Sequence, residues 1–261
     1  MPRSDGSHAG NASGRPQPVP VSYRPDSLLA MCGRYDSHRS TDDLSAYLNA
    51  DDDTGGAVPG RYNTAPTQPV RIVVYDAESA RRSLRAARWG LVPFWAKDPS
   101  IGARMINARA ESVAEKPAYR SAVRSTRALV PMDGWFEWQV TESGKQPRYL
   151  VPADGGLLTA AGLYSYWDGP DGTLCSCTII TTAAVGRLRA VHQRMPLLLA
   201  GADRQAWLAG GDATELLAVP PAEELVAGLD IRPIGPAVGS VRNDGPYLLD
   251  PVPAAAPATL F

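Results

Sequence analysis

Three side chains in this sequence have types and settings that could do covalent or proton-transfer chemistry: Cys32, Glu137 and His192. Cys32 stands in the run Met31-Cys32-Gly33-Arg34-Tyr35. A chain that began at Cys32 would carry a free α-amine and a thiol on adjacent carbons. The amine can condense with an aldehyde to an imine, and the thiol can then close a five-membered thiazolidine ring. An α-amino pKa of about 7.7–8.0 leaves a reactive neutral fraction near pH 7, and neighbouring groups readily activate a thiol. Glu137 lies between aromatics in Asp133-Gly134-Trp135-Phe136-Glu137-Trp138. A carboxylate drawn partly out of water there titrates higher and suits general acid–base work. His192, in Val191-His192-Gln193-Arg194-Met195-Pro196, is the one histidine in an ordered, apolar setting, where it could move a proton or orient a phosphate. Taken one at a time, each has a plainer reading: a structural thiol, a carboxylate on the wet side of a strand, a satisfied core histidine. Cys175 and Cys177 lie two apart on one strand face with no second pair to complete a metal set, and read as structural.

Charge points to the kind of partner. The whole chain is nearly neutral, with 26 Lys and Arg against 27 Asp and Glu. Residues 81–148 nevertheless carry a net +7, between flanks of −3 and −5. A basic middle third in a neutral protein suits a local anionic partner, and a solvated face balanced by acids nearby in space is the alternative. Four tryptophans fall in the same third, Trp89, Trp95, Trp135 and Trp138. They could stack on unpaired bases, or pack in the core. A histone-like basic binder is excluded by the overall balance. No apolar run approaches the roughly 18 residues of a membrane helix. Three cysteines cannot form a disulfide framework and favour a reducing cytoplasm. Three histidines argue against a His-rich metal site.

The elements that must position these residues follow from periodicity and turn chemistry. Residues 1–30 read as a disordered leader, with five prolines in the first 27 residues. Residues 31–250 read as one continuous domain and 251–261 as a loose tail. Helices are expected at Thr41–Leu48, Ala110–Ala114, Pro117–Ala122, Asp203–Ala209, Ala213–Leu217 and Glu223–Ala227. Strands are expected at Val70–Tyr75, Ser83–Leu91, Arg127–Val130, Gly134–Val140, Arg148–Val151, Leu158–Tyr164, Cys175–Thr181 and Ile231–Ile234. This many strands with irregular connections predicts an α+β fold around a curved, mostly antiparallel sheet. On a regular strand at 134–140, Trp135 and Glu137 share one face, Phe136 and Trp138 the other.

Eight segments, in order, resemble the SRAP (SOS response-associated peptidase) family of abasic-site processing proteins. They are MCGRY at 31–35, GRYNTAPTQ at 60–68, WGLVPFW at 89–95, INARAES at 106–112, DGWFEW at 133–138, TIITTAA at 178–184, VHQRMPLLL at 191–199 and VRNDGP at 241–246. The resemblance covers about residues 31–250. It implies a barrel-like antiparallel sheet with short flanking helices, no metal and no organic cofactor. It also implies an autopeptidase whose exposed N-terminal cysteine crosslinks to the ring-opened aldehyde of an abasic site in single-stranded DNA. The matching positions assign Cys32, Asn107, Glu137 and His192 to catalysis. Arg34, Arg109, Arg194 and Thr181 are assigned to the DNA backbone, with Trp95 and Trp138 as stacking or wedging groups. A monomer in the cytoplasm, associated with the nucleoid when on DNA and without a membrane partner, is the implied setting. Family members begin at Met-Cys, whereas 31 residues precede Cys32 here. The free amine therefore requires either a start at Met31 or scission of the Met31–Cys32 bond. Two other readings use the same residues. A Cys–His thiol peptidase acting on other proteins needs the thiolate without a free amine. A non-catalytic single-strand binder needs only the basic third and the aromatics.

Overall fold

The computed structural model describes residues 33–252. Among them the strands are β1 (Tyr35–Ser37), β2 (Asp51–Asp52), β3 (Arg61–Thr64), β4 (Pro69–Asp76), β5 (Arg81–Trp89), β6 (Asn107–Arg109) and β7 (Arg127–Met132). They continue with β8 (Gly134–Thr141), β9 (Gly144–Pro152), β10 (Leu158–Gly169), β11 (Gly172–Ala183), β12 (Arg194–Pro196) and β13 (Leu229–Pro233). The α-helices are short: α1 (Thr41–Leu48), α2 (Ala110–Val113), α3 (Arg120–Ser125), α4 (Ala202–Leu208), α5 (Thr214–Ala218) and α6 (Glu223–Ala227). The leader expected at 1–30, Cys32 and most of the tail expected at 251–261 lie outside the described residues.

Five strands close on themselves. The order β11-β10-β7-β4-β5 is antiparallel throughout, and β5 returns to β11 in parallel at Ser176↔Arg88 and Cys177↔Trp89. Closure removes the free edges that an open sheet would leave unpaired. A second sheet, β13-β9-β8-β1-β3, is antiparallel. The period-2 alternation of each strand sorts its side chains between two cores. Val70, Ile72, Trp89, Val130 and Ile179 of the barrel join Tyr35, Trp135 and Leu150 of the second sheet in one cluster. The opposite parity, Val73, Leu84, Leu129 and Ile180, meets Leu44 and Leu48 of α1, Val113, Val123 and Trp207 from the other helices. On the far side of the second sheet Phe136 packs on Tyr149, Ile234, Val238 and Leu248.

The expected α+β fold with a curved, mostly antiparallel barrel is what the chain forms. The helix expected at Pro117–Ala122 instead begins at Arg120, because Lys116 O first accepts the amides of Tyr119 and Arg120 (2.9 Å each) and closes a turn. The β10–β11 hairpin extends to Gly169 and Gly172, beyond the apolar stretches that announced it. Gly134 opens β8 where a Cβ would lie 2.5 Å from the Tyr149 ring and 2.6 Å from Leu150 O. Only glycine lets β8 approach β9 so closely there.

Candidate functional site

Three short segments converge as β11 leaves the barrel. Ile179, Ile180 and Thr181 pair in parallel with Asn107, Ala108 and Arg109 of β6. Thr181, Thr182 and Ala183 pair on the other side with Pro196, Met195 and Arg194 of β12. β6 is held by buried Ile106, whose carbonyl accepts from Ile179 N (3.0 Å) and from the Trp89 indole (2.9 Å). Asn107 is half-buried. Its carbonyl lies 3.5 Å from the Tyr119 hydroxyl, a phenol that burial pushes up to about 12. Arg194 donates from Nη2 to Thr181 O (2.6 Å) and forks onto the Glu111 carboxylate, Nη2 to Oε2 at 2.9 Å and Nη1 to Oε1. Its side chain is only 13% exposed, against 52% for Glu111. The Arg194 hydrogen bonds, with a smaller contribution from the Arg109 charge, hold the Glu111 carboxyl below its usual range. Arg109 itself is exposed and forms no ion pair with a described residue.

Glu137 is 4% exposed on β8, in register with Arg148 of β9. Gln139, two residues on and therefore on the same face, donates to Ala190 O (2.8 Å) and accepts from Arg148 Nε (2.8 Å). These bonds lay the turn that carries His192 over the face of β8 that carries Glu137. Trp135, on that face too, belongs to one core cluster with Ile106, Leu188 and Met195, the neighbours of Asn107, His192 and Arg194. The His192 amide donates to Leu188 O (3.0 Å), and its Nδ1 lies 3.0 Å from the Arg194 amide. The same Nδ1 lies 3.1 Å from the Arg194 carbonyl, so both backbone groups of Arg194 hold the ring in place. β1 enters beside β8, with Phe136 N donating to Arg34 O (3.1 Å). Gly33, the first described residue, continues this edge, and Cys32 precedes it by one peptide. The chain thus brings β6, β11 and β12 together, ties the turn before His192 to β8 through Gln139, and sets the start of β1 beside β8.

The family model for SRAP, SOS response associated peptidase, matches residues 31–241. The chain belongs to the SOS response associated peptidase family. Abasic site processing protein YoqW of Bacillus subtilis is 38% identical over 181 residues, which are 68% of this chain and 80% of that one. Abasic site processing protein YoaM of the same organism is 36% identical over 228 residues, 84% of this chain and 98% of that one. A crystal structure of a protein from Bacteroides thetaiotaomicron shares the fold, with a TM-score of 0.73 at 21% identity, over 85% of this chain and 100% of that one.

Within this SOS response associated peptidase domain several expected roles move. Thr181 is fully buried, and its hydroxyl faces Ala108 O (3.4 Å) and Arg194, so it supports Arg194 and presents no surface to a phosphate. Arg34 donates to Asn63 Oδ1 (3.0 Å), Val238 O (2.9 Å) and Gly239 O (3.3 Å), which ties β1 to the C-terminal segment, and burial lowers its pKa. Trp89 and Trp135 are core residues, since both indoles are closed off from solvent. Trp95 is 52% exposed beside Phe94 at 67%, on a turn bound to β11 through Val92 N and Ser176 Oγ (2.8 Å). Ser176 lies five residues before Thr181, roughly 17 Å of strand. Trp138 is half-buried against the Phe136 cluster. The GRYN and VRND motifs meet each other: Tyr62 N donates to Asp244 Oδ1 (2.8 Å), and buried Asn63 donates to Val238, Ser240 and Asn243 carbonyls.

His38 is the ordered histidine that sequence reasoning passed over. Its Nδ1 lies 2.9 Å from Asp36 Oδ1 and 3.4 Å from Asp133 Oδ2, and its ring stacks on Tyr62. Arg39 Nε donates to Asp133 Oδ1 (2.6 Å) and Tyr149 OH to Asp36 Oδ2 (2.7 Å). Asp36 and His38 are two apart in sequence, the spacing that puts a donor and an acceptor on one strand face. Asp36, His38 and Asp133 are the described residues whose ligand atoms lie close enough to share an ion. Here His38 and Arg39 already supply the cationic partners.

Proposed function

We propose that this protein captures abasic sites in single-stranded DNA through a thiazolidine formed by Cys32 as an N-terminal residue, a role in the DNA damage response. The observation that carries the reading is the β6–β11–β12 junction, which sets Asn107, Arg109 and Arg194 on adjoining strands, with the Gln139–Ala190 bond tying the turn before His192 to β8. The names of the relatives agree with it. The α-amine of Cys32 attacks the aldehyde carbon of the opened sugar. The carbinolamine loses one water to give an imine. The thiol then adds across the C=N bond, its sulfur joining carbon and its proton passing to nitrogen. Glu137, buried and beside this edge, carries protons in both steps. Asn107 holds the amine or the carbinolamine oxygen. His192 hydrogen-bonds the open sugar's hydroxyl or its phosphate. Arg109 and Arg194 hold the backbone, and exposed Trp95 serves a flanking base. A single copy of the chain supplies every group.

The free amine comes from hydrolysis of the Met31–Cys32 bond. The Cys32 thiol attacks the Met31 carbonyl, the C–N bond breaks with Glu137 protonating the nitrogen, and water cleaves the thioester. The test is incubation with single-stranded DNA with and without one abasic site, followed by a denaturing gel. The expected result is a denaturant-resistant band with abasic DNA alone, and only a labile adduct from Cys32→Ser, whose hydroxyl closes a weaker ring. Equal stability of the two adducts overturns the thiazolidine. Blocking the amine by acetylation should abolish crosslinking; a thiol peptidase would be indifferent to it. A plain single-strand binder would treat intact and abasic strands alike.

A further inference from the structure

Next to the junction, α2, α3 and α5 enclose a groove of about 380 Å³, within the range of small-ligand sites. We propose that this groove, which builds on the DNA reading above, is a second strand-binding site that takes one unpaired nucleotide flanking the abasic position. Its base would lie on the groove floor and its phosphate on Arg120 and Arg124. The floor is apolar, formed by Ala114, Val123, Ala213 and Leu217. Arg120 and Arg124 stand four residues apart on α3 and so point from one helix face. Both are exposed, and neither forms an ion pair or a side-chain hydrogen bond with a described residue.

The other charges of the groove are already engaged. Glu111 holds Arg194, and Asp212 accepts from Thr214 N (2.9 Å) and Oγ1 (2.6 Å). Arg127 is buried beneath the floor, donating to Val123 O (2.6 Å) and Gly211 O and lying 5.0 Å over the Trp207 ring. It adds positive potential without offering a free fork. Two uncommitted guanidiniums on the rim therefore remain for an anion, for which their planar donors are suited. An apolar floor beside them asks for a planar hydrophobic group on that same anion, which a bare phosphate lacks and a paired, stacked base does not offer. An unpaired nucleotide has both. The groove is also continuous with the junction, because Glu111 both lines it and binds Arg194, and Arg109 sits at the N-terminal end of α2. A strand held at Arg109 can thus pass into it beside Glu111, whose charge Arg194 offsets.

The test compares the wild-type protein with the Arg120→Ala/Arg124→Ala double variant. Abasic oligonucleotides carry flanks on both sides, on the 5′ side only or on the 3′ side only, and binding is read across a salt series. With both flanks, the double variant should bind several-fold more weakly, and its log–log salt slope should be shallower by roughly 1.4, about 0.7 per lost phosphate contact. Crosslink yield at saturating DNA should equal wild type, and Arg120→Lys/Arg124→Lys should restore the slope. With one of the single-flank oligonucleotides the difference should vanish, which identifies the strand polarity through the groove. Replacing the flanking nucleotide by a baseless spacer should weaken wild type and leave the double variant unaffected. An unchanged slope in a double variant that still crosslinks overturns the groove and leaves the proposed function standing. A wild type that fails to crosslink while the double variant still loses single-strand affinity does the reverse. An equal loss on duplex DNA overturns the unpaired nucleotide.

Discussion

The Arg194 guanidinium divides its donors between the Thr181 carbonyl and the Glu111 carboxylate, so a DNA phosphate reaching Arg194 meets a group that already occupies its fork. Glu111 is the more exposed partner, and an exposed ion pair contributes about 0–1 kcal/mol. Displacing it is therefore cheap, but its negative charge opposes the approach of DNA. Glu111→Gln keeps the shape and a hydrogen bond while removing the charge. It should tighten binding to single-stranded DNA by up to about fivefold at low salt, in line with a pair worth about 1 kcal/mol. The gain should disappear as salt screens the repulsion. Equilibrium binding at two ionic strengths checks it, and weaker binding at low salt would mean that Glu111 serves to orient Arg194. None of this was visible in the order of residues. INARAES identified Arg109 and Asn107, but nothing in it said that the carboxylate two positions after Arg109 would reach across to Arg194, because that contact exists only through β11 between them.

β1 is a three-residue strand held between β8 and β3. It is anchored through the ion-paired cluster at its far end, Asp36 and His38 against Asp133, Arg39 and Tyr149, and through Arg34 at its near end. The hydrogen bond to Asp36 raises the His38 pKa above 6.5, with the charges of Asp36 and Asp133 helping and burial and Arg39 opposing. Burial raises the Asp36 carboxyl as well. A histidine with a raised folded-state pKa contributes stability that is fully present below its unfolded pKa, near 6.5, and is lost as pH rises through the folded value. His38→Asn should therefore lower the unfolding midpoint more at pH 5.5 than at pH 8.5. Thermal melts of both proteins at the two pH values check this, and an equal deficit at both would show that the imidazolium does not anchor β1. The strands that sequence patterning missed are of this kind: β1, β2, β3, β6 and β12, of two to four residues each. Such segments are too short for alternation to show. Each forms because a longer strand offers it free backbone donors and acceptors, as β11 does for β6 and β12.

For the molecule as a whole, the decisive connection is the parallel contact of β5 with β11, which closes the barrel and leaves the last turn of β11 free to pair on both sides. Closure fixes the junction on the barrel, and the proposed chemistry is then tested at the N-terminus. Protein made from the full 261-residue frame should show by intact-mass spectrometry a dominant species beginning at Cys32. Glu137→Gln should retain residues 1–31 and fail to crosslink. A species that keeps residues 1–31 and still crosslinks abasic DNA would refute the N-terminal cysteine. Loss of residues 1–31 from Glu137→Gln would assign the scission to another protease and leave the DNA chemistry intact.

The sequence by itself determined the long strands, the fold class and the ordered motifs, because each rests on local periodicity or on residue types that can be read in place. Thr41–Leu48 was legible as a helix from an N-cap-like Thr41 followed by Asp, although the cap falls one residue earlier, on Ser40, which accepts from Asp43 N. The face shared by Trp135 and Glu137 was legible from strand parity alone. Only the tertiary structure decided which motif residues hold the fold and which face the site. Asn63, Arg34, Thr181, Trp89 and Trp135 are drawn into protein contacts, the first four by hydrogen-bond partners 13 to 205 residues away. Asn107, Arg109 and Arg194 are brought onto adjoining strands by β11, and His192 is held beside Arg194. Burial and hydrogen-bond satisfaction are properties of that assembly, and no stretch of chain carries them alone.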